Sequence, residues 1–422
     1  MCPIKKFIPL ILCLSLLVGQ GTMNGFGLGH FYENQGITSA GNGLNSLVPG
    51  FQSNVSLSNP STWHHLKYTH LSLSYSGDEN TISELPLLNR YSGLSYASWI
   101  VPIKSKGSFG LALVPYADQR ITLTDTDTTS FIAFEDTLRS LYSFDRSGGI
   151  MAFKVGTSYL IRENFSIGLS VDMLFGSSRQ NESIFFDGSS IIQTSRTRYS
   201  GVLGEVFISL ALQERINLFA SVKQALRDLD GIYTEKHLFD DANGNGYHDY
   251  GNDFPLPDSV SAKNEIRLTG IHKPKQFSFG VQSKLNKQTS ISFEFSTIKD
   301  KGTIDSSLTL PINNSIDHSN DFKLSLVRFP NDISLDLVDK ISFRTGLMYK
   351  SHTLALSNAI VSEVGGSLGF GFKFKTVGNQ VDLNYYLGKR NYSDTFNAEI
   401  IQQMQVGVSL GDLWFVKRRQ KK

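Results

Sequence analysis

Apolar and polar residues alternate one by one along much of this chain, which puts successive side chains on opposite faces of a β-sheet. The clearest stretch carries Phe165, Ile167, Leu169, Val171, Met173 and Phe175 on one row and Ser166, Gly168, Ser170 and Asp172 on the other. The pattern returns at Met151, Phe153, Val155 and Tyr159, at Val206, Ile208, Leu210 and Leu212, and near the end at Met404, Val406, Val408 and Leu410. No helical pattern of comparable length competes, so the fold class is all-β. Short links at 104–107, 162–164, 213–215, 285–287 and 376–379 alternate with long polar segments at 119–147, 177–195, 226–273, 299–319 and 389–399. A soluble β-sandwich also uses alternating strands, but tight turns in strict alternation with long loops are the rhythm of a transmembrane antiparallel β-barrel. Counting on that rhythm predicts about 14 strands, beginning near 64, 90, 107, 148, 164, 197, 215, 274, 288, 320, 340, 362, 379 and 400. An even number returns both termini to one side, the periplasmic side if the barrel sits in the outer membrane of a Gram-negative-type bacterium.

Charge placement agrees with such a barrel. A charge on the lipid face costs roughly 2–4 kcal/mol at the bilayer midplane. Lys154, Asp172, Glu205, Glu294, Arg344, Lys373 and Asp382, together with Lys223, Lys284 and Lys323, all lie on the row opposite the apolar one and are expected to face the lumen. Tyr68, Tyr75, Tyr116, Tyr159, Tyr349, Trp414 and Phe415 fall near predicted strand ends, where amphipathic rings form interfacial girdles.

Composition narrows the class. Only 18% of the 422 residues are charged, with 37 Gly and 29 Phe, which excludes a disordered chain or a coiled coil. The longest apolar run, Phe7 to Val18, follows Lys5 and Lys6 and precedes Gly19-Gln20-Gly21, the layout of a signal peptide over residues 1–21. Cys2 and Cys13 both lie in it, so the exported chain is expected to carry no cysteine and to need no disulfide. Formal charge is +2, and five basic residues crowd the 417–422 tail, either a solvated periplasmic terminus or a docking site for anionic partners. With no basic stripe interleaved with aromatics elsewhere, no nucleic-acid partner is expected. Outer-membrane lipid is the partner that the alternating strands require.

One loop has the chemistry of a cation site. In Asp241-Ala242-Asn243-Gly244-Asn245-Gly246-Tyr247-His248-Asp249, oxygen ligands recur at positions 1, 3, 5 and 9, Gly246 permits the sharp turn, and the Tyr247 carbonyl takes position 7. Asn252 stands where a bidentate Glu is usual, and Asp253 follows. So few carboxylates imply calcium affinity on the order of 0.1–1 mM, enough for a structural ion outside a cell. A plain Asn/Gly turn is the other reading of the same residues. No H-E-x-x-H pattern occurs, and the Gly-rich runs fit strand or hatch positions rather than a nucleophile elbow or a phosphate loop, so an enzyme is not expected.

Weak, dispersed motifs give a resemblance. The Gly-rich stretch 36–43 followed by Asn59-Pro60-Ser61-Thr62, with Ser61 in place of an Ala, the segment Ser108 to Tyr116, and the closing segment Val406 to Phe415 resemble the outer-membrane transport barrels typified by the FadL long-chain fatty-acid transporter. That superfamily includes PorV-like barrels of type IX secretion. The resemblance implies a fourteen-stranded barrel, residues 61–416 here, with residues 22–60 folded into the lumen as a hatch. It also implies passive uptake of a hydrophobic small molecule, or, if PorV-like, a platform for a surface or secretion-system protein. A disordered periplasmic leader is the other reading of 22–60. The predicted inward row carries both signs of charge and many Ser, Gly and Asn residues, so the lumen is not expected to be uniformly greasy.

Overall fold

The computed structural model describes residues 22–32, 36–82, 88–103, 106–124, 129–133, 136–186, 189–235, 239–240, 264–303, 312, 314–331, 336, 338–374, 379–393 and 396–412. Fourteen long strands form the wall: β1 (Thr69–Ile82), β2 (Leu88–Ile103), β3 (Gly107–Asp118), β4 (Asp136–Arg162), β5 (Phe165–Phe186), β6 (Ser189–Ala211), β7 (Ile216–Glu235), β8 (Pro274–Lys284), β9 (Thr289–Asp300), β10 (Ile316–Arg328), β11 (Ile341–Leu354), β12 (Ile360–Lys373), β13 (Gln380–Tyr392) and β14 (Phe396–Asp412). Each pairs antiparallel with the next, and β14 closes on β1 from Glu399↔Ile82 to Asp412↔Thr69, so no long edge is left open. Among the described residues no helix is long and apolar enough to cross a membrane; the crossing is made by strands.

Alternation sets which face looks where. On β5, Leu169, Val171, Met173 and Phe175 are exposed, while Ser166, Ser170 and Asp172 between them are buried. At about 3.4 Å per residue and a tilt of about 40°, the outward row from Phe165 to Phe175 covers roughly 26 Å of height, matching an apolar band of about 25 Å. Leu368, Phe370 and Phe372 on β12, with Leu383, Tyr385 and Leu387 on β13, continue the band around the wall. These surfaces are too large and contiguous to face water.

Three expectations are corrected. The first strand starts at Thr69 rather than near 64, because Asn59 caps a 3₁₀ helix, Pro60–His65, that belongs with the preceding segment. Segments 119–147, 177–195 and 226–273, expected as loops, contain paired strand: β4 begins at Asp136, β5 runs to Phe186 and β6 begins at Ser189, with Ile121–Thr124, Thr129–Ala133 and Asn264–His272 added alongside. Beyond the lipid both faces of a strand are wetted, so hydrophobic alternation fades while the backbone ladder continues. Tyr116 is not an interfacial ring: it shares the inward row of Ala112 and Val114, and its hydroxyl meets His272 Nε2 at 2.7 Å. The 1–21 leader, Trp414, Phe415 and the 417–422 tail lie outside the described residues.

Candidate functional site

The space inside the wall is occupied by the chain's own N-terminal segment. Short 3₁₀ turns at Thr22–Gly25 and Ala40–Asn42, a two-residue strand at His30–Phe31 and the Pro60–His65 helix lie in this segment, and its described residues are almost wholly buried. Irregular backbone at membrane depth needs its polar groups satisfied by protein, since no water or ladder is on offer. Asn59, fully buried, does this for its own turn: its Oδ1 accepts from the Ser61 amide (3.0 Å) and Ser61 Oγ (2.7 Å), and its Nδ2 donates to the Leu47 carbonyl (2.8 Å). Thr62 Oγ1 accepts from the Ser56 amide at 3.0 Å, tying the helix to the preceding loop. Ser166 Oγ on β5 donates to the Ser61 carbonyl at 2.7 Å and fixes the turn to the wall.

Glycines in the wall make room for this segment. Trp63 lies over Gly110 of β3 and Gly156 of β4, where an added Cβ would come within 2.6 and 2.9 Å of the indole. Gly168 of β5 faces Pro60 and the Ser61 amide, Gly346 of β11 faces Gly43, Gly369 of β12 faces Gly41, and Gly407 of β14 faces Ile37. Each of these positions leaves out a side chain where the segment touches the wall. Read from sequence alone they look like ordinary weak strand residues, because only the register shows what lies opposite.

Inward charges complete the seat. Glu294 on β9 gathers the amides of Ser46 (3.1 Å), Leu47 (2.8 Å) and Val48 (3.4 Å), with the Ser46 hydroxyl at 3.3 Å and Lys323 of β10 at 3.6 Å. Arg344 pairs with Asp382 at 2.7 Å and donates from Nε to the Gly50 carbonyl at 2.9 Å. Lys154, Asp172 and Glu205 meet in one cluster through Lys223, which stands 3.7 Å from Asp172 and 3.0 Å from Glu205, while Lys154 reaches Asp172 at 3.0 Å. Lys284 donates to Asn54 Oδ1 at 2.7 Å, and Lys373 stands half-buried at the end of β12. A further group was missed: Arg390 bridges Glu363 (2.8 Å) and Glu399 (3.0 Å), Tyr386 and Tyr392 donate to those carboxylates, and the Thr22 amide donates to Glu399 at 3.0 Å. Arg390 and Glu399 fell within a segment expected as a loop, although both keep the inward parity of Glu363 across β12–β14.

Cavities remain among the described residues, and two of them meet at Phe31 and Tyr32. One, of about 90 Å³, is lined by the rings of Phe31, Trp63, Tyr96 and Tyr116 with Leu57 and Val114, and has Lys223, His272 and Lys350 on its polar side. The other, of about 70 Å³, mixes charged His30, Asp78, Asp118, Glu363 and Arg390 with apolar Leu44, Met348 and Ile401. Phe31, Tyr32 and Lys350 border both. The Phe31 ring stacks on His272 with centroids 4.7 Å apart, and His272 Nδ1 meets Asp300 at 2.5 Å. The Tyr32 hydroxyl stands 3.4 Å from both Asp78 and Asp118. An apolar chamber walled by aromatic rings accepts an uncharged, hydrophobic guest. The calcium-type residues Asp241, Asn243, Asn245, Tyr247, Asp249 and Asp253 lie outside the described residues, and among the described residues no group of three or more His, Cys, Asp or Glu is placed to hold a metal ion.

The sequence profile of the BamG family matches residues 4–421. This chain belongs to the BamG family. No curated protein matches it in sequence. In structure, the BamG-family chain is similar to the CymD monoaromatic hydrocarbon channel (13% identity, 93% of this chain and 99% of that chain covered, TM-score 0.58). It is also similar to a Pseudomonas aeruginosa FadL homologue (12%, 91% and 98%, TM-score 0.57) and to the Ralstonia pickettii toluene transporter TbuX (12%, 92% and 99%, TM-score 0.50). At these identities the likeness is one of fold alone: this BamG-family protein shares with those channels a closed barrel, here of fourteen long strands.

Proposed function

We propose that this barrel takes up small hydrophobic molecules passively across the outer membrane, with residues 22–66 as its hatch, the long connections outside and both termini in the periplasm. The observation that carries the reading is the aromatic-lined chamber of about 90 Å³ set against the N-terminal segment inside an otherwise polar, closed wall. A single ring or short chain suits that volume better than a long acyl chain. The solved channels of like fold named for monoaromatic hydrocarbon and toluene support the same size class. The guest would be held by burial and dispersion and would leave when the Phe31–Tyr32 partition shifts; no chemistry is required. The test is toluene entry into proteoliposomes. The full chain should pass it slowly, removal of residues 22–66 should raise passage and admit small polar solutes too, and Tyr96→Trp, which narrows the chamber, should slow toluene alone. Equal toluene passage with and without protein would overturn the proposal.

A second reading rests on a different observation. The strands β4 to β7 run 27, 22, 23 and 20 residues, well past what the bilayer requires, and raise a sheet above the band. Such a sheet, with the 241–253 loop between β7 and Asn264–His272 stiffened by calcium, suits a platform for a surface or secretion-system protein. Capture of a partner that is lost when calcium is chelated would favour it, and capture unaffected by chelation or by removal of the loop would count against it.

A further inference from the structure

The outer face of the barrel changes character abruptly above the apolar band on β5 to β9. Arg179 on β5, Arg196 and Arg198 on β6, Arg267 on the added strand beside β7, Lys275 on β8 and Lys299 on β9 are all exposed. Arg179 stands directly opposite Arg196 in the ladder, Lys275 stands directly opposite Lys299, and Arg198 and Arg267 flank Ile232 from either side. Like charges placed directly opposite destabilise a sheet unless something neutral or negative screens them. Among the described residues none of these six has an ion-pair partner; Arg196 has only a 3.4 Å bond to Ser177 Oγ. Acidic side chains near this face include Glu265, two residues from Arg267, and Asp145, which accepts from Thr122 at 2.8 Å. The other acids close by, Asp228 and Asp230, pair with Lys273 and Arg227.

Height decides what meets these cations. Arg179 lies four residues past Phe175, Lys275 two before Phe277 and Lys299 four past Phe295, all on the outward rows. At about 2.6 Å of height per tilted residue this is roughly 5–10 Å above the hydrocarbon edge, the depth of the headgroups. Exposed arginines at that depth present forked donors that match phosphate oxygens two at a time. We infer that this patch binds the phosphate-bearing headgroup of a lipid in the leaflet around the long-connection end, and that the bound phosphates relieve the Arg179–Arg196 and Lys275–Lys299 repulsion. The inference needs the lipid-facing band but not the transport reading.

The test uses the full chain in a neutral detergent, offered diphosphoryl lipid A, the same lipid with its phosphates removed, or inorganic phosphate, with bound lipid read by native mass spectrometry and the unfolding midpoint read alongside. The wild type should retain the phosphorylated lipid and gain thermal stability from it. R179Q/R196Q/R198Q/R267Q should retain it at least about tenfold more weakly and should be more stable than wild type in lipid-free detergent. The control K389Q, a lone cation elsewhere above the band, should bind as wild type does. If the quadruple variant fails to form the heat-resistant barrel, R196Q/R198Q is read in its place. Equal retention by the variant, equal retention of the dephosphorylated lipid, or a stability gain from inorganic phosphate as large as that from the lipid would each overturn the assignment. Loss of toluene passage with lipid binding intact would fell only the transport reading.

Discussion

A single methyl group distinguishes a barrel with the N-terminal segment seated on its wall from one without it. Gly346 on β11 and Gly366 on β12 are near neighbours in the ladder but face opposite ways. Neither has a left-handed backbone, so alanine fits the conformation of both. In a bare strand, replacing Gly by Ala stabilises by roughly 0.5–1 kcal/mol, because the unfolded chain loses freedom and the strand gains a side chain. Gly366→Ala should show this gain, since a Cβ there meets Leu347 Cδ2 at a comfortable 3.6 Å. Gly346→Ala should not. Its Cβ would run into the Gly43 amide, with Gly43 Cα at 2.5 Å and the Asn42 carbonyl carbon at 2.9 Å. These are backbone atoms, and Gly43 is itself held at φ +63° with its amide on Ser367 Oγ at 2.8 Å, so the obstacle cannot rotate away. Overpacking of this kind costs about 1–3 kcal/mol, and after the strand gain is subtracted Gly346→Ala should destabilise by about 0.5–2 kcal/mol. Urea unfolding of the reconstituted barrel, followed by loss of heat-resistant gel mobility, resolves a difference of this size when both variants are run together. Proteolysis after Asn42 should also accelerate in Gly346→Ala alone. Equal stabilisation by both variants would show that the segment does not rest on β11, and the account of the wall glycines would fail.

Other perturbations address the charged seat. Glu294→Ala removes the acceptor for three amides and takes away a carboxylate 3.6 Å from Lys323, so a loss of about 3–5 kcal/mol and protease access near Ser46 are expected, whereas Glu294→Gln should lose less. Arg390→Met strands two buried carboxylates and should cost about 3–5 kcal/mol, with Glu363→Gln and Glu399→Gln added in the same chain restoring most of it. Calcium removal should leave the barrel midpoint unchanged while exposing the 241–253 connection to protease, and Asp241→Ala should mimic chelation; an identical digestion pattern with calcium and with chelator would count against a bound ion there.

How much of this was legible follows from what lipid demands. Where a strand crosses hydrocarbon, one face must be apolar without exception, and the row Leu169, Val171, Met173, Phe175 states that plainly. Strand starts inside the band, such as Gly107, Phe165, Ile216 and Ile341, accordingly fall within a residue or so of expectation. Above the band nothing enforces apolarity, so Asp136 and Ser189 lie about ten residues before the starts near 148 and 197 that alternation suggested, and a raised sheet was read as loops. Tyr116 shows the same limit in another form: proximity to a strand end suggested a girdle, but the row it shares with Val114 points inward, and row outranks position.

The interior obeys no comparable single rule. Its partners come from distant parts of the chain, as with Ile37 and Asn384 or Ser46 and Glu294, so a residue's role depends on register rather than on its neighbours in sequence. Charge on the inward row is visible, but its purpose is not: a water-filled pore and a filled barrel both call for polar residues there. The wall glycines break that tie. A pore has no need to leave out side chains at Gly110, Gly156, Gly346 and Gly369 together, whereas a segment lying against all four strands does. A barrel built this way spends its inward polar groups on holding its own chain, and the apolar chamber beside Trp63 exists because the segment supplies one side of it. Under the proposed uptake, passage requires residues 22–66 to shift from the wall glycines that seat them.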